Sequence, residues 1–433
     1  MEMTMSDQHS HSALKVSSMR ESNMRVPQFP DFPLAEYQQR YRRLCTAMEQ
    51  HGLDAILITN RTNHRYFSGF CGEVFALQHY YYFALLPCDP LIEPAFLCSH
   101  GNDFIATTTW IQDLRFWDFQ QDFYMNKQSP GIPALAGLIQ EKGLGTATIG
   151  LELSNDMHPH MGIEHIFQLQ EMAPNVCWAD ASNAIMEIRA VKSVVEVERL
   201  RKAARISAQA VRFGFESVVP GMTEMELTQI MSAKMYELGA TDIRYLTNYA
   251  GPRRMWADAT PTDNLIQTGD LIQFDGGCIV DGYWCDFKRM CSVGKPKDAD
   301  RRFYDIAREA IEASTELLSA GTAPSDVVQV AFDVNRSHGY GEFVDWCHRS
   351  GWEAIGHGVG LDIHERPGLA FQNHVPLEAS MVLSIEPFIT LDGVFPFWEA
   401  KGKFGLEDSV LLTTDGHEIL TSESIISHEL MVV

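Results

Sequence analysis

The chain has 433 residues, of which 45% are apolar and 21% charged, and its formal net charge is −23. This length suits two domains, and this composition is that of a globular protein rather than a disordered or fibrous one. The acidic balance argues against nucleic acid and membrane partners, since nucleic acid and anionic lipid both bind basic surfaces, and no run of about 18 uncharged apolar residues offers a transmembrane helix.

The first 25 residues are polar and lack the apolar segment of a signal peptide, so they are predicted to form a disordered tail. The nine cysteines are scattered, odd in number and without a C-x-x-C pair. Such cysteine usage favours reduced thiols, and hence a cytoplasmic location, over a disulfide framework.

Residues 26–187 are predicted to form an α/β domain. An amphipathic helix leads through Gly52 into an apolar strand, and strand-like runs such as YYYFALL and ATIGLEL then alternate with helical stretches. The aromatic stretch QHYYYF (78–83) is predicted to lie in the core of one of these strands.

Residues 188–433 are predicted to form a second domain with an internal duplication. VVPGMTEMELTQIMSAKMYELGA and, a hundred residues later, LSAGTAPSDVVQVAFDVNRSHGY each contain a glycine, a threonine, a helix and a glycine stop. Thr223 and Glu226 have the spacing of a capping box, and Thr322 is predicted to be the matching N-cap. Strand-rich sequence follows each helix, which predicts two helix-plus-sheet halves with a cleft between them.

The stretch LIQFDGGCIVDGYWCDFKR (271–289) is largely apolar, yet it contains Asp275 and Asp286. Asp281-Gly282 is a strong two-residue hairpin signal, and a turn there places Asp275 opposite Lys288. Asp275 and Asp286 then lie on one face of the hairpin, about 7 Å apart as diagonal neighbours. Two carboxylates so close must share a proton or hold a cation.

Three later segments add ionisable residues to strand-like apolar sequence. AIGHGVGLDIHERPG contains His357 and His364, MVLSIEPFI contains Glu386, and FGLEDSVLLTT contains Glu407. Any single case could be a structural ion pair. Together with the two aspartates, and with no matching cluster of Lys or Arg expected in those strands, they favour a metal site.

The four carboxylates would neutralise two divalent cations, and His357 would add one imidazole. Such an oxygen-rich set suits Mn²⁺, the preferred candidate here, or Fe²⁺, Co²⁺ or Zn²⁺. Two-metal sites of this kind activate water, so the pattern predicts hydrolytic chemistry.

The order of these motifs, with HRYFSGF (64–70) and EIRAVKS (187–193), resembles the pita-bread metallopeptidase superfamily, in particular its prolidase and aminopeptidase P branch. The resemblance covers about residues 34–425. It implies an α+β fold, in which a smaller α/β creatinase-like domain precedes a pita-bread catalytic domain made of duplicated helix-plus-antiparallel-sheet halves. It also implies a homodimer, in which QHYYYF could alternatively project into the partner's cleft.

The resemblance further implies roles for individual residues. Glu386 would be the general base, and His364 would donate a hydrogen bond to the substrate carbonyl or oxyanion, the alternative for His364 being a structural contact with Glu365. Asp286 and Glu407 would each bridge two metal ions. The implied metal ligands are Asp275, Asp286, His357, Glu386 and Glu407.

The substrate side departs from the peptidase pattern. In AGPRRMWADATPTDN the position of a pocket histidine is occupied by Asp258, or by Ala259 if the register slips. An arginine two residues before the last glutamate is replaced by Gly405. An arginine can bind a carboxylate and a tryptophan can stack on a ring or a cation, whereas the alternative is a solvated surface loop. The residues expected to define specificity are Arg253, Arg254, Trp256 and Asp258.

Three functions are consistent with these motifs. The first is a two-metal hydrolase that cleaves an amide bond in small peptides, an Xaa-Pro dipeptidase or aminopeptidase. The second acts on a small zwitterion, as a creatinase-like amidinohydrolase or a dimethylsulfoniopropionate lyase; such a lyase is expected to carry an Asp at Ile363, and Asp362 is one residue away. The third, a non-catalytic binding module, is disfavoured by the five intact ligand positions.

Overall fold

The computed structural model describes residues 14–15, 32–72, 81–99, 103–117, 131–255, 260–390, 402–421 and 425–433. The chain divides into two compact units, Met1–Ile188 and Arg189–Val433. Within the predicted tail, the described residues are Leu14–Lys15, which form a short strand.

The first unit is an α/β domain, as predicted. Its seven-stranded sheet has the order β1-β5-β4-β3-β2-β6-β7, with β2 antiparallel to β3 and parallel to β6. In chain order the strands are β1 (Leu14–Lys15), β2 (Ala55–Ile58), β3 (Tyr82–Pro87), β4 (Ala95–Cys98), β5 (Asp113–Phe116), β6 (Thr148–Leu151) and β7 (Cys177–Asp180). The helices are Leu34–Gln50, Arg61–Asn63, the π-helix His64–Ser68, Asp103–Thr108, Gly131–Glu141, Ile163–Met172 and Ser182–Ala190.

Two sequence motifs of the first unit lie in its core. Tyr82 and Phe83 are buried in β3, which agrees with the core interpretation of QHYYYF, whereas residues 78–80 lie outside the described part of the chain. In HRYFSGF, the imidazole of His64 is fully buried and contacts the carbonyl of Tyr82 at 3.0 Å. These residues therefore have a structural role within the unit.

The second unit shows the predicted duplication in its backbone. Gly221 and Gly321 both have a left-handed φ, 92° and 93°, which glycine adopts without the steric cost of a side chain. Their N–H groups donate to the carbonyls of Ile266 and Leu377, both at 2.8 Å. The same turn thus precedes a helix in each half.

The two halves differ in how the helix after this turn begins. Thr223 is the N-cap of Glu224–Glu237, and its predicted capping box with Glu226 is present. The prediction for Thr322 is wrong. The helix Pro324–Ser337 has Ala323 at its N-cap, and the Thr322 hydroxyl donates to the carbonyl of Leu317. Proline at the first helical position already suits a helix start, because its missing N–H would have no partner there.

In each half of the second unit, consecutive helices precede a group of strands. The helices are Val194–Glu216, Glu224–Glu237, the 3-10 helix Gly251–Met255, Asp298–Glu316, Pro324–Ser337 and Gly341–Ser350. The strands are β8 (Asp242–Ala250), β9 (Leu271–Val280), β10 (Tyr283–Trp284), β11 (Phe287–Ser292), β12 (Gly356–Gly358), β13 (Val382–Ile385), β14 (Phe388–Thr390), β15 (Lys403–Gly405), β16 (Asp408–Leu412), β17 (His417–Ile419) and β18 (Met431–Val432).

The second unit contains two main sheets. The first sheet has the order β10-β9-β11-β18, with β8 also paired to β9, and its edge strand β18 comes from the end of the chain. The second half contributes the other sheet, β12-β13-β16-β17. An apolar core that includes Phe303, Ile311, Val328 and Leu383 fills the second half between its helices and its sheet. The burial of these side chains is the main favourable term in folding, and it holds both sheets in place.

Candidate metal centre

The Asp-Gly hairpin forms as predicted. Asp281 (φ 48°) and Gly282 (φ 88°) both have positive φ, as a type I′ turn requires, and Tyr283 pairs with Val280. In the paired strands β9 and β11, Asp275 lies opposite Lys288. The sequence therefore predicted the register of the strands that hold the first two acids.

Two glycines after Asp275 allow the neighbouring backbone segments to approach closely. A Cβ on Gly276, whose φ is 121°, would lie 2.4 Å from the carbonyl oxygen of Tyr245 in β8. A Cβ on Gly277 would lie 2.3 Å from the carbonyl oxygen of Cys285. Only glycine fits between these backbones, so the DGG sequence fixes the position of Asp275 between its neighbours.

The two sheets meet at the centre. Lys288 of β11 and Glu407, just before β16, exchange backbone hydrogen bonds of 3.2 and 3.1 Å. Ser409 donates to the carbonyl oxygen of Asp286 at 2.7 Å. These contacts bring Asp286 and Glu407 together, although the two residues are far apart in sequence.

His357 and Glu386 come from the second half. His357 lies in β12, opposite Ser384 of β13, and Glu386 follows β13, with its N–H donating to Ile355 O at 2.7 Å. His357 Nδ1 lies 3.0 Å from the carbonyl oxygen of Gly358. That contact assigns the ring proton to Nδ1 and leaves the lone pair of Nε2 facing the carboxylates.

The structure brings all five predicted ligands together. Potential ligand atoms lie within 4.8 Å of one another in two groups, His357 with Glu386 and Glu407, and Asp275 with Asp286 and Glu407. Asp286 and His357 also form such a group with His364.

One side of this cluster has the features of a cation site. Asp286 Oδ1 and His357 Nε2 are buried and have no hydrogen-bond partner among the described residues. The His357 Nε2 atom lies 3.7 Å from Asp286 Oδ2 and 3.6 Å from Glu386 Oε1, beyond hydrogen-bond range. Buried polar atoms without a partner are costly, so these residues fit a divalent cation that would ligate them.

The other side contains a lysine that the sequence analysis did not use. Lys288 Nζ lies 3.1 Å from a carboxylate oxygen of each of three residues, Asp275, Glu386 and Glu407. The sequence analysis expected no matching cluster of Lys or Arg in those strands, and it did not consider this one lysine as a partner of the acids. The signal was present in the sequence, because the predicted register already placed Lys288 opposite Asp275.

The ammonium of Lys288 by itself does not compensate four carboxylates. Burial, and then the neighbouring Glu407, raise the pKa of Asp286 well above its usual range, and burial raises the pKa of Glu407 to about 8. Burial also opposes ionisation of Glu386, but the ammonium of Lys288 lowers its pKa to about 2. The cluster thus still lacks positive charge.

His357 is suited to bind a cation at neutral pH. Burial lowers the pKa of His357 to about 4, so the imidazole is neutral and Nε2 can act as a ligand. His364 lies edge-on to His357, with ring centroids 4.2 Å apart, and is exposed. This position is beside the centre, as the prediction for His364 requires.

The boundary motif EIRAVKS and the motif HERPG contact each other. Glu365 accepts hydrogen bonds from Arg189 and, at 3.2 Å, from Lys192, and all three side chains are buried. Arg189 also donates to Asp362 at 2.8 Å. Asp362, considered above as a possible lyase residue, is therefore held in a structural ion pair.

Of the residues predicted to bind substrate, Arg253 has described side-chain contacts. The Arg253 guanidinium donates to both carboxylate oxygens of the buried Glu224, each at 3.1 Å, and to Thr260 O at 3.0 Å. Trp256 and Asp258 lie outside the described residues, as does the side chain of Arg254. These contacts give Arg253 a structural task, which its proposed role in specificity did not anticipate.

Gly405, where the resemblance expects an arginine, lies beside the lysine of the centre. A Cβ on Gly405 would be 3.8 Å from Cδ of Lys288 and 3.4 Å from the carbonyl oxygen of Pro387. Position 405 therefore borders the side chain of Lys288. The absent arginine and the buried lysine belong to the same part of the site.

Comparisons with known proteins agree with this geometry. Residues 198–414, half of the chain, match the model of metallopeptidase family M24. The chain belongs to metallopeptidase family M24. Residues 40–191 match the creatinase/prolidase N-terminal domain. Membership of family M24 confirms the predicted superfamily and its α+β fold, and it implies a hydrolase that uses divalent metal ions.

Individual proteins to which the chain is similar have names that state a specific activity. An Xaa-Pro dipeptidase of Lactobacillus helveticus is 28% identical over 313 residues, 70% of this chain and 78% of that protein. An Xaa-Pro dipeptidase of Lactobacillus delbrueckii subsp. lactis is 27% identical over 384 residues, 87% and 95% of the two chains. The solved structure of an Xaa-Pro dipeptidase from Bacillus anthracis shares the fold, with a TM-score of 0.75, 24% identity and coverage of 92% and 100%.

Two general features complete the description. All nine cysteines lie in the described part of the chain, where they form no disulfide. Across the same described ranges, no helix is both long enough and apolar enough to cross a bilayer.

Proposed function

We propose that this chain is a divalent-metal-dependent peptidase that cleaves small peptides with proline in the second position, as an Xaa-Pro dipeptidase or aminopeptidase. The observation that carries the proposal is the convergence of the five predicted ligands, with Asp286 Oδ1 and His357 Nε2 buried and without hydrogen bonds. The names of the two Lactobacillus relatives support the substrate class.

In this proposal each residue has a defined task. The metal ligands are Asp275, Asp286, His357, Glu386 and Glu407, with Mn²⁺ preferred and Fe²⁺, Co²⁺ or Zn²⁺ as alternatives. A bound cation would supply Lewis-acid polarisation of the scissile carbonyl and of the attacking water. Glu386, whose carboxylate is ionised at neutral pH, accepts the proton of that water and passes it to the leaving nitrogen. His364 donates a hydrogen bond to the developing oxyanion.

The role of Glu386 gives the first prediction. Glu386→Gln removes the proton acceptor, and we expect kcat/KM for an Xaa-Pro dipeptide to fall by at least about 100-fold. The exposed Glu378 offers the control, since Glu378→Gln changes the same chemistry away from the centre and should retain activity. Retained activity in the folded Glu386→Gln variant would contradict the assignment.

The reaction type requires a substrate panel. Xaa-Pro dipeptides, longer Xaa-Pro peptides and small zwitterions should be assayed with Mn²⁺ added and with metal chelated. We expect turnover of an Xaa-Pro substrate that is lost on chelation. Turnover of a small zwitterion alone would instead support the creatinase-like or lyase-like alternative, for which the changes at Gly405 and Asp258 are the motivation.

A homodimer is part of the same proposal, because the superfamily resemblance implies one. The chain has a mass of 48.8 kDa, so light scattering of the purified protein should give about twice that value. A mass equal to that of one chain would contradict the dimer without affecting the assignment of the metal centre.

A further inference from the structure

The sequence predicted two divalent ions, but the contacts of Lys288 lead to a different number. We propose that the Lys288 ammonium replaces one of the two cations, so that the centre binds a single divalent metal ion on its His357 side. This inference rests on the proposed function, because it specifies the composition of the same metal centre.

The first argument is the position of the ammonium. Lys288 Nζ lies 3.1 Å from Asp275 Oδ2 and from Glu407 Oε2, so it occupies the space between two of the three acids of one group. A divalent cation would need these same oxygens at about 2.0–2.2 Å. An ammonium and a metal ion cannot both bind them from the same side.

The second argument is the asymmetry of the cluster. Around Lys288 the oxygens of Asp275, Glu386 and Glu407 each have a donor at hydrogen-bond distance. Around His357, two buried ligand atoms, Asp286 Oδ1 and His357 Nε2, have none among the described residues. One half of the cluster is satisfied by the protein itself, and the other half still needs a cation.

The third argument is charge. The four carboxylates carry four negative charges, and Lys288 supplies one positive charge. One divalent ion then leaves a net charge of −1, whereas two would leave +1 and place the ammonium in contact with a metal ion at Asp275 and Glu407. The repulsion between the ammonium and a second ion at these two residues favours one ion.

The surroundings hold Lys288 in this position. Its backbone is fixed to Glu407 by two hydrogen bonds, and its side chain is 5% exposed. The next residue, Arg289, is buried and donates to Glu407 O at 2.7 Å and to Asp408 at 2.6 Å. Gly405, which lacks a side chain, leaves room beside the Lys288 stem. The lysine is therefore a fixed part of the site.

The test is the number of metal ions per chain. The full chain is stripped with a chelator, dialysed against Mn²⁺ and assayed by elemental analysis. We expect one ion per chain for the unmodified protein and two for Lys288→Ala, in which Asp275 and Glu407 lose their ammonium partner. Lys295→Ala is the matched control, because it removes an exposed lysine that follows β11 and leaves the ammonium between Asp275 and Glu407 in place, and it should still bind one ion.

A second measurement needs no variant. Electron paramagnetic resonance of the Mn²⁺-loaded unmodified protein should show the hyperfine-split signal of an isolated ion rather than the broad signal of an exchange-coupled pair. Two ions per unmodified chain, a coupled signal, or a single ion in folded Lys288→Ala would overturn this inference and leave the peptidase proposal intact. A folded protein that binds no Mn²⁺ would overturn both.

Discussion

At the scale of single residues, the centre is defined by which polar atoms have partners. Lys288 satisfies one set of carboxylate oxygens, while Asp286 Oδ1 and His357 Nε2 are buried without a hydrogen-bond partner in the part of the chain that the structure describes. The buried Glu365 shows the contrasting case, in which Arg189 and Lys192 fully engage a carboxylate close to the same histidine-containing segment. The unpartnered atoms of Asp286 and His357 require a bound cation, whereas the ion pair of Glu365 stabilises the fold.

The Glu365 pair gives a prediction at this scale. Glu365→Gln leaves Arg189 and Lys192 buried without a counter-charge, and we expect the free energy of unfolding to fall by about 3 kcal/mol near neutral pH. The exposed pair of Arg201 and Glu418 is the control, because Glu418→Gln should change stability by less than about 1 kcal/mol. Urea denaturation of the three proteins measures both effects.

The same variant predicts a pH dependence. Arg189 and Lys192 overcome the effect of burial and lower the pKa of Glu365 from 4.5 to about 2. A carboxyl group with a lowered pKa stabilises the folded state at any pH above the pKa of the unfolded chain. This stabilisation is lost as the pH falls through the pKa of the folded state. The difference in the free energy of unfolding between the unmodified protein and Glu365→Gln should therefore become smaller as the pH falls from 4.5 towards 2. A constant difference over that range would show that the ion pair is not its source.

At the scale of elements, the centre is formed by one hairpin and by the backbone pairing of that hairpin with the second sheet. The Asp281-Gly282 turn sets the register of β9 and β11, and the backbone contacts between Lys288 and Glu407 join this hairpin to the second sheet. The glycines after Asp275 permit the close approach of the flanking backbones. The site depends on this local crowding as much as on its ligands.

Gly276→Ala tests this crowding. Its φ of 121° is unfavourable for alanine, and the new Cβ would lie 2.4 Å from Tyr245 O, so we expect a loss of about 3 kcal/mol or more in the free energy of unfolding. Gly137 is in the helix Gly131–Glu141 and has open space around its Cα. Gly137→Ala should therefore stabilise the chain by about 0.5–1 kcal/mol. Equal effects of the two substitutions would contradict the argument from close approach.

At the scale of the whole molecule, both halves of the duplicated second unit contribute ligands. Asp275 and Asp286 come from the first half, and His357, Glu386 and Glu407 from the second. A cation held by both halves should stabilise the folded state, because the unfolded chain does not present these ligands together.

Metal-linked stability is the prediction at this scale. Mn²⁺ at about 100 times its dissociation constant should stabilise the folded state by about 2.7 kcal/mol, seen as a rise in the thermal midpoint that a chelator reverses. His357→Ala should remove most of this rise. His338, an exposed residue paired with Glu309, provides the control, and His338→Ala should leave the rise unchanged. A rise that survives His357→Ala would place the stabilising ion elsewhere.

The sequence by itself determined the local parts of this protein. The Asp-Gly turn fixed the hairpin register, the capping box at Thr223 fixed a helix start, and the repeated glycines revealed the duplication, because each depends on residues within one turn or one strand pair. The four acids and the histidine were also identified, since ionisable residues in apolar strands are rare. Only the tertiary structure decided which groups compensate the negative charges of these acids. Whether Lys288 faces solvent or the acids depends on Glu407, which reaches it only when the two halves of the unit pack together, and the same is true of Arg189 and Lys192 with Glu365.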